Sequence, residues 1–269
     1  SLSTMTSVSL YMHIRGSSWN TVTDSYLMGN SGLLIAPGSI NNTIEDSLLF
    51  GATSYGLWNQ SSSNTVTNSY MWGNLRGASL DAGSDYNTIE LSTMIGGSYG
   101  LYAVTAVSNT VTGGYIKGGS YGAWLDTGSD SNLISLSTVI GTGGSGYGFY
   151  ALAADSNTVT RSYVEGGLYG AALGAGSRYT TVSLSTMIGA GARGLNVSGA
   201  DSNFVTDSYM KGASYGALIS GAYFNSISLS TMIGTATGGL NTNAVGSNTV
   251  TQSYMWGGTY GAQLDSNSN

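Results

Sequence analysis

The stretch NTVTNSYMWG at residues 64–73 is followed by the related stretch NTIELSTMIG at residues 87–96, and this pair decides the fold. Each stretch begins with Asn and has Val or Ile two positions later, another apolar residue seven positions later and Gly nine positions later. The pattern returns every 22 to 25 residues along the 269-residue chain. A repeat of this length predicts a solenoid, because one unit is too small to bury its own apolar face and must stack on its neighbours.

Two positions of the repeat are nearly invariant. Asn occupies the first position in every unit except one, which has Thr180. Like residues stack on like in a solenoid, so this position predicts a ladder of Asn side chains at one bend. The Gly position predicts a sharp corner, where a residue without Cβ allows a positive φ or a close backbone approach. The predicted Asn ladder comprises Asn20, Asn42, Asn64, Asn87, Asn109, Asn132, Asn157, Asn203, Asn225 and Asn248. The predicted Gly corner comprises Gly29, Gly51, Gly73, Gly96, Gly118, Gly141, Gly166, Gly189, Gly212, Gly234 and Gly257.

A second apolar segment follows the Gly corner in each unit. Tyr-Gly usually introduces it, as at Tyr99 and Tyr121, and apolar residues then alternate with period two, which predicts a second strand. Connections between parallel strands prefer the right hand. We therefore predict an all-β, right-handed parallel β-helix solenoid of about 12 coils of 22–25 residues, with an alternating two-coil unit of about 45 residues. It is expected to form one continuous domain over residues 1–269, without terminal caps.

Composition excludes several classes of function. The formal net charge is −6 and the seven Lys and Arg residues are scattered, so the basic patch of a nucleic-acid-binding protein is missing. The chain has no Cys and one His, His13, which leaves little for metal sites or a Ser-His-Asp triad. No apolar stretch approaches the length of a membrane span. We predict no catalytic residue, no cofactor, no metal, no nucleic acid and no membrane span.

The acidic residues offer one arrangement that could carry chemistry. Asp24 and Asp46 occupy the same phase of adjacent coils, with Glu45 beside them, and their spacing would suit a pair of carboxylates. The following coils place Asn68 and Leu91 at that phase, which favours a solvated face instead.

Two further polar patterns also have ordinary explanations. Asp81, Asp126 and Asp265 share a phase in alternate coils, and we interpret them as turn caps, because Asp hydrogen-bonds local backbone. Thr-x-Thr pairs such as Thr65 and Thr67 resemble an ice-binding face, but the intervening coils interrupt the array of hydroxyls.

An aromatic and aliphatic stripe is the remaining candidate site. If side chains alternate with period two, these residues face outward, on a surface with few charges. Two interpretations stay open: a contact surface for a neighbouring rod or a glycan, or a stripe that packs under a turn. The stripe comprises Tyr70, Trp72, Ile95, Tyr115, Ile140, Ile188, Ile233 and Trp256.

The repeat resembles those of the pectate-lyase-like superfamily of parallel β-helices and of secreted bacterial repeat proteins. The resemblance is carried by the N-T-V-T segments, by the Ser five positions after the Asn, as at Ser69 and Ser92, by the fixed Gly and by the Y-G-A-x-L segments. The resemblance covers essentially the whole chain and implies the right-handed fold. It leaves the function open, because that superfamily includes polysaccharide lyases and hydrolases, phage tailspikes and non-enzymatic surface proteins.

Our interpretation from the sequence is a non-enzymatic structural or adhesive repeat protein, located outside the cell or on its surface. The chain would be a subunit or segment of a filament or surface stalk, assembled with itself head to tail or side by side. The alternative is a β-helix that binds or degrades a polysaccharide, with a glycan as its partner. Ice binding is a minor alternative.

Overall fold

The computed structural model describes residues 3–7, 12–243 and 246–265, and this part of the chain consists of β-strands joined by bends. Three parallel sheets run along the solenoid, and each coil adds one strand to each sheet. The predicted all-β parallel solenoid and its coil length are thereby confirmed. Among the described residues there is no helix that is long and apolar enough to cross a membrane.

The strands of each sheet pair in register with those of the coils on either side. The first sheet contains β1 (Ser3–Thr6), β4 (Ser25–Gly29), β7 (Leu48–Gly51), β10 (Tyr70–Gly73), β13 (Thr93–Gly96), β16 (Tyr115–Gly118), β19 (Thr138–Gly141), β22 (Tyr163–Gly166), β25 (Thr186–Gly189), β28 (Tyr209–Gly212), β31 (Thr231–Gly234) and β34 (Tyr254–Gly257). The second sheet contains β2 (Met12–Ile14), β5 (Leu33–Ile35), β8 (Tyr55–Asn59), β11 (Arg76–Leu80), β14 (Tyr99–Val104), β17 (Tyr121–Asp126), β20 (Tyr147–Ala151), β23 (Tyr169–Leu173), β26 (Arg193–Ser198), β29 (Tyr215–Ser220), β32 (Gly238–Asn243) and β35 (Tyr260–Leu264). The third sheet contains β3 (Thr21–Thr23), β6 (Thr43–Glu45), β9 (Thr65–Thr67), β12 (Thr88–Glu90), β15 (Thr110–Thr112), β18 (Leu133–Ser135), β21 (Thr158–Thr160), β24 (Thr181–Ser183), β27 (Phe204–Thr206), β30 (Ser226–Ser228) and β33 (Thr249–Thr251).

The segment from the Asn to the Gly of each repeat forms two strands, one on the third sheet and one on the first, such as β9 and β10. The residue four positions after the Asn has a left-handed backbone there, with φ of 46° at Asn68 and 47° at Leu91. A left-handed residue ends one strand and lets the next begin on a different sheet. Each coil therefore has three strands.

The Gly corner joins the first sheet to the second. A Cβ added to Gly96 would lie 1.8 Å from the carbonyl oxygen of Tyr99. Gly96 does not have a positive φ, so close approach of the backbone is the reason for Gly at this position.

The Asn side chains hydrogen-bond from coil to coil at the bend before the third sheet. Asn87 donates from its backbone N and its Nδ2 to Oδ1 of Asn109, at 2.9 and 3.0 Å, and Asn109 repeats both contacts with Asn132. The ladder is interrupted at Thr180, whose hydroxyl is buried without a hydrogen-bond partner. The buried amides thus satisfy backbone groups that would otherwise lack a partner.

The core is filled by one continuous column of apolar side chains from all three sheets. In the second sheet, Leu101 and Ala103 of β14 lie over Ala123 and Leu125 of β17, and all four are buried. A large side chain next to a small one keeps the core volume constant from coil to coil.

Candidate functional site

The outward face of the second sheet carries an extended array of aromatic side chains. In its longer strands, such as β14 and β17, the first, fourth and sixth residues point away from the core. Because the strands pair in register, these positions form rows that run along the solenoid. We call the following set the aromatic platform: Tyr55, Trp58, Tyr99, Tyr102, Tyr121, Trp124, Tyr147, Tyr150 and Tyr169.

The rings of the aromatic platform contact one another. The centroids of Tyr99 and Tyr121 lie 5.5 Å apart with nearly parallel planes, and those of Tyr121 and Trp124 lie 4.7 Å apart. The indole Nε1 of Trp124 is buried and has no hydrogen-bond partner. The rings are half-buried, so they present both apolar surface and polar atoms to a ligand, as aromatic residues in binding sites do.

Arg76 and Asp81 form an ion pair at one end of the aromatic platform. Nη1 of Arg76 lies 3.8 Å from Oδ1 of Asp81 and 2.9 Å from Oγ of Ser79, which donates to the same carboxylate oxygen at 2.7 Å. The guanidinium carbon of Arg76 lies 3.8 Å from the ring centroid of Tyr102, a cation–π contact. The second oxygen of Asp81 accepts a hydrogen bond from Nε1 of Trp58.

A second carboxylate lies on the other side of Tyr102. The hydroxyl of Tyr102 donates to Oδ2 of Asp126 at 2.8 Å, and the backbone N of Thr127 donates to Oδ1 at the same distance. Burial raises the pKa of Tyr102 well above its ordinary value, and the bond to Asp126 raises it further. The phenol is therefore a neutral donor. We call Arg76, Asp81, Tyr102 and Asp126 the acid cluster.

The acid cluster changes the interpretation of its two carboxylates. Asp126 does cap the backbone of Thr127, as predicted for a turn residue, but it also binds Tyr102. The carboxylate of Asp81 is held by the side chains of Trp58, Arg76 and Ser79. Turn capping is therefore an incomplete explanation of these residues.

A shallow depression of about 720 Å³ continues from the aromatic platform along the second sheet. Its lining includes Tyr150, Arg193, Asn196, Tyr215 and Asn241. Nη1 of Arg193 donates to Oδ1 of Asn196 at 2.6 Å and lies 3.3 Å from the hydroxyl of Tyr169. We call this feature the Arg193 depression.

The carboxylates considered from the sequence lie elsewhere. Asp24 and Asp46 are exposed residues of the bend between the third and first sheets, with φ of 47° and 48°. Oδ2 of Asp24 accepts a bond of 3.3 Å from Oγ1 of its neighbour Thr23. In the described part of the chain, no three His, Asp or Glu side chains converge in a group that could hold a metal ion.

The predicted stripe lies on the outward face of the first sheet, away from the aromatic platform. All eight of its residues are half-buried or exposed, and the ring of Trp72 stacks on Phe50 at 4.3 Å. Its role as a contact surface stays a prediction. The aromatic platform was missed in the sequence, although the repeated Tyr-Gly and the aromatic residue three positions after the Tyr, as in Tyr121 and Trp124, are a visible signal.

Comparisons with known proteins give a family and a fold. Residues 57–208, more than half of the chain, match the family described as right handed beta helix region. The A-module of a mannuronan C-5 epimerase from Azotobacter vinelandii is similar in structure, with a TM-score of 0.61 and 11% identity over 99% of this chain and 91% of that one. The enzymatically active domain of tailspike protein 2 from bacteriophage CBA120 has a TM-score of 0.50 and 11% identity over 94% of this chain and 42% of that one. No curated protein matches the sequence.

These comparisons confirm the predicted right-handed β-helix and correct the predicted function. The interpretation as a non-enzymatic structural or adhesive element is wrong, because the similar structures are an epimerase module and the enzymatically active domain of a tailspike. The expected filament or stalk is set aside with it. The polysaccharide alternative agrees better with these findings. The likeness at 11% identity establishes the fold, so the activity must be argued from the side chains.

Proposed function

Because the chain belongs to the right-handed β-helix family, we propose that it binds a polysaccharide along the aromatic platform and cleaves it at the acid cluster. The observation that carries this proposal is the aromatic platform itself, which runs from Tyr55 to Tyr169 and occupies five of six successive strands of the second sheet, with Arg76 and Ser79 in place of the rings on β11. The proposal places the protein outside the cell, where it would meet such polymers.

A long, repetitive ligand fits the shape of the aromatic platform. From β14 to β23, successive coils place equivalent rings about 4.8 Å apart along the solenoid, so a ligand in contact with all of them must be extended. The polar side chains of Ser79, Asp81 and Asp126 lie beside the rings, which suits a ligand that has both apolar faces and many hydroxyls. A polysaccharide has both, because the C–H faces of its sugar rings pack on aromatic rings while its hydroxyls form hydrogen bonds.

The acid cluster supplies groups for acid–base chemistry. Asp81 and Asp126 occupy the same row two coils apart, which separates their Cα atoms by about 10 Å. Two carboxyl groups on either side of a bound sugar can hydrolyse a glycosidic bond: one protonates the leaving glycosidic oxygen, and the other takes a proton from the water whose oxygen bonds to the anomeric carbon. Tyr102 lies between them as a neutral donor that orients Asp126, and Arg76 offsets part of the negative charge. We assign proton transfer to Asp81 and Asp126.

The activity test is cleavage of a panel of neutral and acidic polysaccharides, measured as new reducing ends and as the ultraviolet absorbance of unsaturated products. Asp126→Asn should lower the rate by about 10²- to 10⁴-fold, the usual contribution of a general acid or base, while binding is retained. Asp24→Asn is the matched control, because Asp24 is an exposed residue of a different bend. Cleavage by Asp126→Asn at the wild-type rate would contradict the assignment of the acid cluster.

A further inference from the structure

The second sheet contains two arginines at the same position of the repeat, which makes one the natural comparison for the other. Arg76 pairs in register with Tyr55 and Tyr99, and Arg193 pairs in register with Tyr169 and Tyr215. Each uses Nη1 to donate to the side chain three residues later, Ser79 in one case and Asn196 in the other. The Nε of each is buried without a hydrogen-bond partner.

The two arginines differ in how their charge is balanced. The residue five positions after Arg76 is Asp81, which forms the ion pair, whereas the residue five positions after Arg193 is the exposed Ser198. Within the described ranges, Arg193 takes part in no ion pair. The nearest carboxylates in the same row as Ser198 are Asp126 and Asp265, each three coils away, or about 14 Å between Cα atoms.

We infer that Arg193 binds the acid group of an anionic sugar, a carboxylate or a sulfate ester, so that the ligand of the aromatic platform is an acidic polysaccharide. This inference rests on the proposed function and adds the class of ligand. Arg193 is half-buried and lines the Arg193 depression, where its planar guanidinium can meet an oxyanion. Tyr169 and Asn196 already contact Nη1, which fixes the orientation of the group.

Local charge is what allows such a ligand to bind. The protein has a formal net charge of −6, so it repels anions in general and needs an unbalanced cation at the point of contact. Among the residues that the structure describes, Arg193 lies over one aromatic ring, that of Tyr169 at 5.2 Å from the centroid, whereas Arg76 has three ring contacts and a carboxylate. The half-buried position of Arg193 strengthens its attraction for an anion, because the effective dielectric constant is lower than in water.

The sharpest test converts the environment of Arg193 into that of Arg76. Ser198→Asp supplies the missing carboxylate and leaves Arg193 in place, at an exposed position where an aspartate is tolerated. Affinities are measured by calorimetry for tetragalacturonate and tetramannuronate, for the methyl esters of both, and for a sulfated neutral tetrasaccharide beside its unsulfated form. The wild type should bind at least one charged compound about tenfold or more tightly than its uncharged counterpart, as expected for a charge-assisted pair. Which compound does so distinguishes a carboxylate from a sulfate ester.

Ser198→Asp and Arg193→Gln should both abolish this preference, and Arg161→Gln should retain it, because Arg161 lies in an exposed bend away from the second sheet. Circular dichroism melting curves verify that each variant folds. Equal binding of charged and uncharged compounds by the wild type, or an unchanged preference in Ser198→Asp, would overturn the inference. If uncharged compounds bind and Trp124→Ala weakens them, the proposed function survives such a result. If no saccharide binds at all, both proposals fail.

Discussion

Four tyrosines of the aromatic platform are held as neutral hydrogen-bond donors. Burial raises the pKa of Tyr121, Tyr147 and Tyr150 above the ordinary value for a phenol, and the pKa of Tyr102 is raised by burial and by its bond to Asp126. A ligand on the aromatic platform therefore meets uncharged hydroxyls and the charges of the acid cluster and Arg193. Charge enters the site at few positions, which is why single substitutions can test it.

Trp124→Ala should weaken binding of any polysaccharide by about tenfold, since an aromatic contact contributes about 0.5–1.5 kcal/mol beyond its buried area. Trp124 contacts the rings of Tyr99, Tyr121 and Tyr150, so its removal opens a gap in the middle of the aromatic platform. Trp256→Ala on the outward face of the first sheet is the matched control and should leave the affinity unchanged. Calorimetric titration gives both values. Equal losses in the two variants would argue against the aromatic platform.

Tyr163, on the first sheet, gives a prediction about alkaline stability. Its hydroxyl donates to Oε2 of Glu165 at 2.7 Å, and chiefly this bond raises the pKa of Tyr163 from 10.0 to about 12. The folded state holds the proton more tightly than the unfolded state, so the stabilisation is complete below pH 10 and is lost as the pH rises towards 12. Urea unfolding of Tyr163→Phe between pH 9 and 12 should show a shallower loss of stability than the wild type. Identical pH slopes would show that the bond to Glu165 does not persist in solution.

The element that holds the coils in register is the Asn ladder, and its interruption at Thr180 can be repaired. Thr180→Asn should raise the free energy of unfolding by about 1 kcal/mol, because a buried amide there can accept from the backbone of Asn157 and donate to the bend, as the amide of Asn109 accepts from the backbone N of Asn87 and donates to the carbonyl of Val107. Urea denaturation measures the change. Thr181→Asn, one residue later on the half-buried surface, should give no increase. If Thr181→Asn raised the free energy of unfolding as much as Thr180→Asn, the gain would not come from the Asn ladder.

The strands were predictable from the sequence where the repeat itself carries the information. Inward residues such as Val66 and Met71, and Gly at the corner, recur in every coil, so each strand is supported by many copies of the same signal. The division into three sheets was missed because the bend residue has a left-handed backbone in every coil but is often Leu, as at Leu91 and Leu136. Leu is not a residue that signals this conformation.

The residues of the candidate site were harder to predict, for a different physical reason. Asp126 and Tyr102 meet because two coils stack in register, and their separation of 24 positions in sequence gives no indication that the side chains bond. The uncompensated charge of Arg193 is visible only by comparison with Arg76 in the structure. The absence of recognisable motifs led to the prediction of a structural protein. The candidate site includes residues at which a coil departs from the repeat.

At the scale of the whole molecule, the outward faces of the first and second sheets have different chemistry. The second sheet brings together Arg76, Asp81, Asp126 and Arg193 with most of the contacting aromatic rings. The first sheet presents the stripe that includes Trp72 and Ile95, whose partner stays a prediction. A polysaccharide that lies along the solenoid would contact the second sheet over several coils at once, so many weak contacts would add up to a specific site.

The most direct test of the proposed function is a crystal structure of Asp126→Asn with a fragment of the polysaccharide that the wild type binds most tightly. The substitution should slow turnover by the factor given above, while Tyr102 can still donate to the side chain. The account predicts sugar rings stacked on the aromatic platform, with a glycosidic bond beside the acid cluster and an acid group on Arg193. A ligand bound on the outward face of the first or third sheet, or failure to bind any polysaccharide, would contradict it.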